Sequence, residues 1–301
     1  MKVSKEDSMP EGKIIKALSG FYYVEYQGEI YQCRARGNFR KRKLTPLVGD
    51  TVHFEAENKT DGYILGLKDR FNELVRPPIA NVEQAILVFS AMEPKFSTLL
   101  LNRFLVHIES NNIEPIICVS KIDLLKPEQR DEINEFITDY RKLDYTVLQT
   151  SIFMEELIEE VRPWLDHKTS VFAGQSGVGK SSLLNSLKPE LNIETNEIST
   201  HLGRGKHTTR HVELIPIGSG LVADTPGFSS LDFIGIEVEE LSNCFPEMRQ
   251  REHGCKFREC THSSEPKCAV KEAVEVGEIA KYRYEDYLSF LDEIKQQKRR
   301  Y

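Results

Sequence analysis

Between residues 13 and 67 apolar and polar positions alternate in short runs, and none of them holds the 3.6-residue period of a helix. The alternation predicts strands at 13–18, 21–26, 29–36, 51–55 and 63–67. The turn pairs Ser19-Gly20, Gln27-Gly28, Gly49-Asp50 and Asp61-Gly62 separate them. Short strands in succession without a helix predict a small β-barrel, with an OB-fold as first choice and an SH3-like barrel still open. Past Arg76-Pro77-Pro78 the pattern changes. Continuous apolar runs at 85–89, 116–119, 146–148, 170–173 and 221–223 now alternate with helical stretches. One helix opens at Pro127 and carries Ile133, Phe136, Ile137 and Tyr140 on a single face. Apolar strands alternating with helices predict an α/β domain, a mostly parallel sheet covered on both sides. From about residue 233 the chain becomes rich in Cys and His, then ends in a helix predicted over 282–298. The expected domains are therefore a barrel at 1–70, an α/β domain at 71–232 and a small, largely helical module at 233–301.

Composition changes this picture only locally. No apolar run reaches the roughly 18 residues of a membrane span, and residues 1–10 lack a signal-peptide core. A cytoplasmic protein with no membrane partner is expected. The net charge of −7 disfavours nucleic acid when taken alone. Yet Arg34, Arg36, Arg40, Lys41, Arg42 and Lys43 form a basic stripe that contains no acid. Such a stripe is a candidate phosphate-binding footprint, and a solvated basic loop is the plain alternative.

The chemistry concentrates in three motifs. Gly174-Gln175-Ser176-Gly177-Val178-Gly179-Lys180-Ser181 follows one predicted strand and leads through Ser182 into a predicted helix, the context of a P-loop. Glycines allow backbone N–H groups to turn around phosphates, and the helix N-terminus adds its dipole. Lys180 offers charge to the β- and γ-phosphates, and the Ser181 hydroxyl ligates Mg²⁺. Asp224-Thr225-Pro226-Gly227 follows another apolar strand. There Asp224 suits Mg²⁺, through water, and the Gly227 N–H suits the γ-phosphate. Ser120-Lys121-Ile122-Asp123 resembles the [Asn/Thr]-Lys-x-Asp guanine reader of GTPases. Its carboxylate accepts from the guanine ring N–H and exocyclic amine, a donor pair that adenine lacks. Ser120 departs from Asn or Thr but keeps a hydroxyl. Thr150-Ser151 is a weaker candidate for the second guanine loop.

The motifs run in an unusual order, with the guanine reader before the P-loop and Asp-x-x-Gly last. Joining the usual ends of a GTPase and cutting after the Asp-x-x-Gly strand gives this order, a circular permutation that leaves the same sheet intact. The C-terminal Cys255, Cys260, His262 and Cys268 form a Cys3His set suited to closed, tetrahedral, structural Zn²⁺, with Cys244 and His253 as spare candidates. In a cytoplasmic chain such clustering favours metal over disulfides.

Barrel, permuted motifs, the loop Gly203-Arg204-Gly205-Lys206-His207-Thr208-Thr209-Arg210 and the Cys-x4-Cys-x-His-x5-Cys cluster together resemble the bacterial ribosome small-subunit-dependent GTPase A family, over nearly the whole chain. The resemblance implies a GTPase that acts late in small-subunit maturation, with that subunit and its rRNA as partners alongside GTP and GDP. It also implies one Zn²⁺ per chain on those four ligands. Loop 203–210 falls where a first switch belongs, so Thr208 or Thr209, with Thr209 preferred, completes the Mg²⁺ shell. Phe228 stands where Ras-like GTPases place a water-orienting Gln. The resemblance points to His207 as the catalytic residue beside Lys180. A monomer is expected. Two other readings stay open on the residues alone. One is a guanine-nucleotide-controlled RNA-binding switch in which hydrolysis only resets binding. The other is an ATP-driven enzyme.

Overall fold

The computed structural model describes residues 9–37, 39, 44–75, 77–193, 212–224 and 231–298. His207, Thr208, Thr209, Gly227, Phe228 and the basic residues 40–43 lie outside them.

The first elements are β1 (Glu11–Leu18), β2 (Phe21–Tyr26), β3 (Glu29–Ala35), β4 (Thr51–Asn58) and β5 (Asp61–Leu67), then a hairpin of β6 (Glu73–Val75) and β7 (Pro78–Ala80). There follow β8 (Gln84–Ser90), α1 (Thr98–Ser110), β9 (Glu114–Ser120), α2 (Pro127–Lys142), β10 (Thr146–Gln149), β11 (Thr169–Ala173) and α3 (Lys180–Leu187). After these come β12 (Glu213–Ile217), β13 (Gly220–Asp224), α4 (Ala269–Glu275) and α5 (Lys281–Lys298).

The five N-terminal strands close on themselves: β1 pairs with β2, β2 with β3, β3 with β5, β5 with β4, and β4 with β1. Only β3–β5 is parallel. This Greek-key closure is the OB-fold order and removes the SH3-like alternative. Inward alternation buries Ile14, Val24, Cys33, Val52, Phe54 and Ile64. β4 extends to Asn58, past the predicted end at 55, because the ladder continues where the apolar signal has faded into Ala56 between Glu55 and Glu57. β3 stops at Ala35, so Arg36 leaves the strand and pairs with Glu55.

These strands belong to one compact unit, residues 1–84, 158–173 and 181–229. Within it β1 also pairs with β12, setting Lys16 opposite Glu213, and their side chains form an ion pair at 2.8 Å. β11 and β13 are parallel, and β12 and β13 form an antiparallel hairpin.

The second unit comprises residues 85–157, 174–180 and 230–301. Its strands run β10-β9-β8, with β9 and β10 parallel. β8 is buried throughout, which explains its continuous apolar run. α2 buries Ile133, Ile137 and Tyr140 as its period predicts, and Phe136 stacks on Phe96 at 5.5 Å. α1 has no counterpart in the sequence reading. Its apolar residues spread around the helix, and its start is fixed by Ser97, whose hydroxyl accepts from the Leu100 N–H at 3.3 Å. The C-terminal segment shares a core with it: Val106 of α1 packs among Phe233, Leu241, Phe245, Met248, Tyr287, Phe290 and Ile294. In the same unit Arg283 is buried against Glu247, with its guanidinium 2.7 and 2.9 Å from the two carboxylate oxygens and 2.6 Å from Asn102 Oδ1. Among the described residues no helix is long and apolar enough to cross a membrane.

Candidate functional site

Gly174, which follows β11, has φ +142°, and a Cβ there would lie 2.1 Å from the Val88 carbonyl oxygen. Gly177 and Gly179 sit at φ +82° and +98°. All three positions thus require glycine, two for backbone conformation and the first also for the close approach of β8. The loop then turns into α3. Lys180, at the start of that helix, is buried and donates to the carbonyls of Gly174 and Gln175 at 2.8 and 2.7 Å. Burial lowers its pKa to about 8. Ser181 is buried and Ser182 half-buried.

The Ser-Lys-x-Asp motif lies directly on this loop. The Ser120 hydroxyl donates to the Val178 carbonyl at 2.5 Å. Lys121, in the left-handed region at φ +59°, reaches back to donate to Gly177 O at 2.6 Å and Glu93 O at 2.5 Å. Two consecutive side chains of one motif therefore hold two consecutive carbonyls of the other. The Ser120 hydroxyl thus does what neither composition nor spacing could reveal. Asp123 stands half-buried in the turn Ile122–Leu124, and among the described residues its carboxylate has no hydrogen-bond partner. Thr150 is adjacent: its carbonyl accepts from the Ile122 N–H at 3.4 Å and its N–H donates to Val119 O at 2.8 Å. Ser151 is also buried, which brings the second candidate guanine loop beside the first. Asp224 ends β13.

The candidate metal ligands come together in space. The ligand atoms of Cys255, Cys260, His262 and Cys268 lie within 4.8 Å of one another. Cys255 Sγ is 3.9 Å from Cys268 Sγ and 3.6 Å from His262 Nδ1, which is 3.3 Å from Cys268 Sγ. A tetrahedron with Zn–S bonds of about 2.3 Å has edges of about 3.8 Å, so the donor set and its spacing fit Zn²⁺. Burial and the neighbouring sulfurs push the Cys260 thiol up to about 12 and raise Cys268, so a cation is what would stabilise thiolates here. The spare candidates stay outside: Cys244 is buried with its thiol toward Glu240 O at 3.8 Å, and His253 is exposed. One organising residue escaped the sequence reading. Glu265 accepts from the N–H and hydroxyl of Thr261 and from the Ser263 N–H, at 2.7–2.9 Å. Although burial opposes it, this bonding holds the carboxyl down to about 2. Its position inside the cluster, four residues after Thr261, was the available signal. Tyr284 and Tyr287 donate to the carbonyls of His262 and Thr261 at 2.6 Å and tie the loop to α5.

Comparison with known proteins places these features in a family. The RsgA N-terminal domain profile matches residues 11–64 and the RsgA GTPase profile residues 67–234. The small ribosomal subunit biogenesis GTPase RsgA of Bacillus cytotoxicus is 65% identical over 293 residues, 97% of this chain and all of that protein. Its namesake from Halalkalibacterium halodurans is 65% identical over 292 residues, 97% of this chain and 99% of that one. Among solved structures, the circularly permuted GTPase YloQ superposes with a TM-score of 0.85 at 52% identity over 99% of both chains. YjeQ from Thermotoga maritima does so with a TM-score of 0.84 at 37% identity, covering 95% of this chain and 98% of its own. With end-to-end likeness at this level, the chain belongs to the RsgA GTPase family and is a circularly permuted GTP hydrolase.

Proposed function

We propose that this protein hydrolyses GTP on the small ribosomal subunit during late subunit maturation, as a cytoplasmic monomer whose outer domains hold rRNA. The observation that carries the nucleotide part is the direct bonding of Ser120 and Lys121 to the P-loop carbonyls of Val178 and Gly177. A guanine-recognising turn that braces the phosphate loop makes nucleotide identity and phosphate geometry one structural unit. The ribosomal part is supported by the names of relatives nearly two-thirds identical over their whole length.

In this reading the domains are 1–70, 71–232 and 233–301, supported by the profile matches to 11–64 and 67–234. Residues 174–182 wrap the phosphates with their N–H groups, and Lys180 leaves its carbonyls for the β- and γ-oxygens. Ser181, Thr209 and Asp224 are the residues that would hold Mg²⁺. The Gly227 N–H meets the γ-phosphate. Asp123 accepts from guanine, with Ile122 and the Thr150-Ser151 backbone beside it. His207 orients the attacking water, a task Phe228 has no group to perform. When bound there, the ion would supply charge neutralisation for phosphoryl transfer. One Zn²⁺ per chain on Cys255, Cys260, His262 and Cys268 is structural.

GTP turnover measured with and without purified small subunits tests the proposal. A large stimulation, lost in His207→Ala with GTP affinity kept, is expected. Equal turnover in both conditions, together with no co-sedimentation, overturns the ribosomal part. Competition by ATP as effective as by GTP overturns the guanine assignment.

A further inference from the structure

Between the first two zinc-type ligands the chain projects Lys256, Phe257, Arg258 and Glu259, all exposed. Phe257 is 43% exposed. The Lys256 ammonium lies over its ring, 5.3 Å from the centroid. The Lys256 N–H donates to the Lys267 carbonyl at 3.2 Å, which sets a third exposed cation beside the tip. Among the described residues no ion pair involves the side chain of Lys256 or Arg258. Of the acids nearby, Glu265 is consumed by Thr261 and Ser263, Glu252 stands by His253, and only Glu259 shares the exposed tip. The tip is held from behind by the Cys3His cluster and by the two tyrosine bonds from α5. An apolar ring thus stands exposed on a braced loop, flanked by cations that form no ion pair among the described residues.

We propose that this tip is a contact for single-stranded RNA, with an unpaired base stacked on Phe257 and the flanking phosphates met by Lys256 and Arg258. A flat aromatic face matches any base, and uncompensated cations match the backbone on either side of it. An apolar protein partner would leave the two cations unpaired, and a duplex would offer phosphates but no base face. The inference rests on the reading of this protein as an rRNA-binding GTPase, and goes beyond it by assigning the residues and the kind of RNA.

The test uses full-length, zinc-loaded protein with two probes, a fluorescent single-stranded RNA oligonucleotide of mixed sequence and purified small subunits, and an RNA duplex of the same sequence as a control. F257A is expected to weaken oligonucleotide binding by about tenfold, and F257W to restore it, with quenching of the introduced indole on addition of RNA. K256Q and R258Q should each lower the slope of log affinity against log salt by about 0.7. Zinc content and basal GTP turnover should match wild type in every variant, which excludes loss of the fold as the cause. Wild-type binding to either probe that F257A leaves unchanged overturns the inference and spares the broader reading. Failure of the wild type to bind either probe overturns both. Equal weakening of duplex and single-stranded RNA by F257A removes the stacked base.

Discussion

Under the proposed function, Lys180 is a buried charge held ready for phosphate. Its ammonium is out of water and satisfied by two carbonyls, which hydrogen-bond it without neutralising it, and its pKa falls to about 8. The folded chain therefore binds fewer protons than the unfolded one between about 8 and the ordinary lysine value, so the stability cost of this buried charge is full below about pH 8 and eases as pH rises. Polyphosphate reverses the shift, because opposite charge favours the ammonium. Nucleotide binding near pH 8.5 should then take up more than half a proton, and affinity should fall as pH rises through 8. Calorimetry of GDP binding in buffers of different ionisation enthalpy measures the uptake. Lys180→Arg, permanently charged, should show none; uptake that persists in that variant assigns the proton elsewhere. Asp123 makes a second residue-scale case, since its carboxylate has no protein partner among the described residues to relax onto. Asp123→Asn should weaken GTP about a hundredfold and improve xanthosine triphosphate, whose exocyclic oxygen accepts from the new amide. Unchanged GTP affinity would remove Asp123 from the base site.

Among the elements, those read correctly from sequence are the ones whose signal is local. The Cys3His loop closes over short spacings, and α2 repeats its apolar face every three to four residues, so both were legible. α1 was not, because its apolar residues surround it; nor was the Arg283–Glu247 pair, because its partners are 36 residues apart and owe their burial to the shared core. That pair makes a stability prediction. Arg283 lies against the rings of Tyr140, Tyr145 and Phe245 as well as Glu247 and Asn102. Glu247→Gln should leave an uncompensated buried guanidinium and cost about 3–5 kcal/mol in denaturant unfolding, while Arg283→Met with Glu247→Leu should recover much of it. A Glu247→Gln loss below about 1 kcal/mol would mean that the tyrosine rings and Asn102 suffice. The metal loop gives the other element-scale test. Elemental analysis should find one zinc per chain, and Cys260→Ser or a strong chelator should release it and expose residues 255–268 to protease. Metal-free protein of undiminished resistance there would make Glu265 and the tyrosine bonds the true fastening.

At the scale of the molecule, the permuted motif order was visible in sequence because each motif is contiguous, whereas the pairing of barrel strand β1 with β12 was not, being a contact between residues such as Lys16 and Glu213 far apart in the chain. The charge distribution divides along the same lines. The whole chain is acidic at −7, while the stripe from Arg34 to Lys43 is free of acid in sequence. Two of its members already have partners: Arg36 pairs with Glu55, and the Arg34 guanidinium lies 4.8 Å from the Phe21 ring centroid. Neutralised or stacked in place, they add little to a long-range field. The stretch at Arg40, Lys41 and Arg42 lies outside the described residues, and under the proposed rRNA contact its charge is the part of the stripe to test. Reversing those three should weaken co-sedimentation with small subunits and lower its salt slope by roughly two, with basal GTP hydrolysis unchanged because the P-loop and its braces are untouched. Reversing Arg36 alone should do far less to binding and should instead loosen the barrel edge at Glu55. Should the Arg36 reversal match the triple reversal in salt slope, the counterion-releasing charge would lie on β3 and its flank and not on the 40–42 stretch.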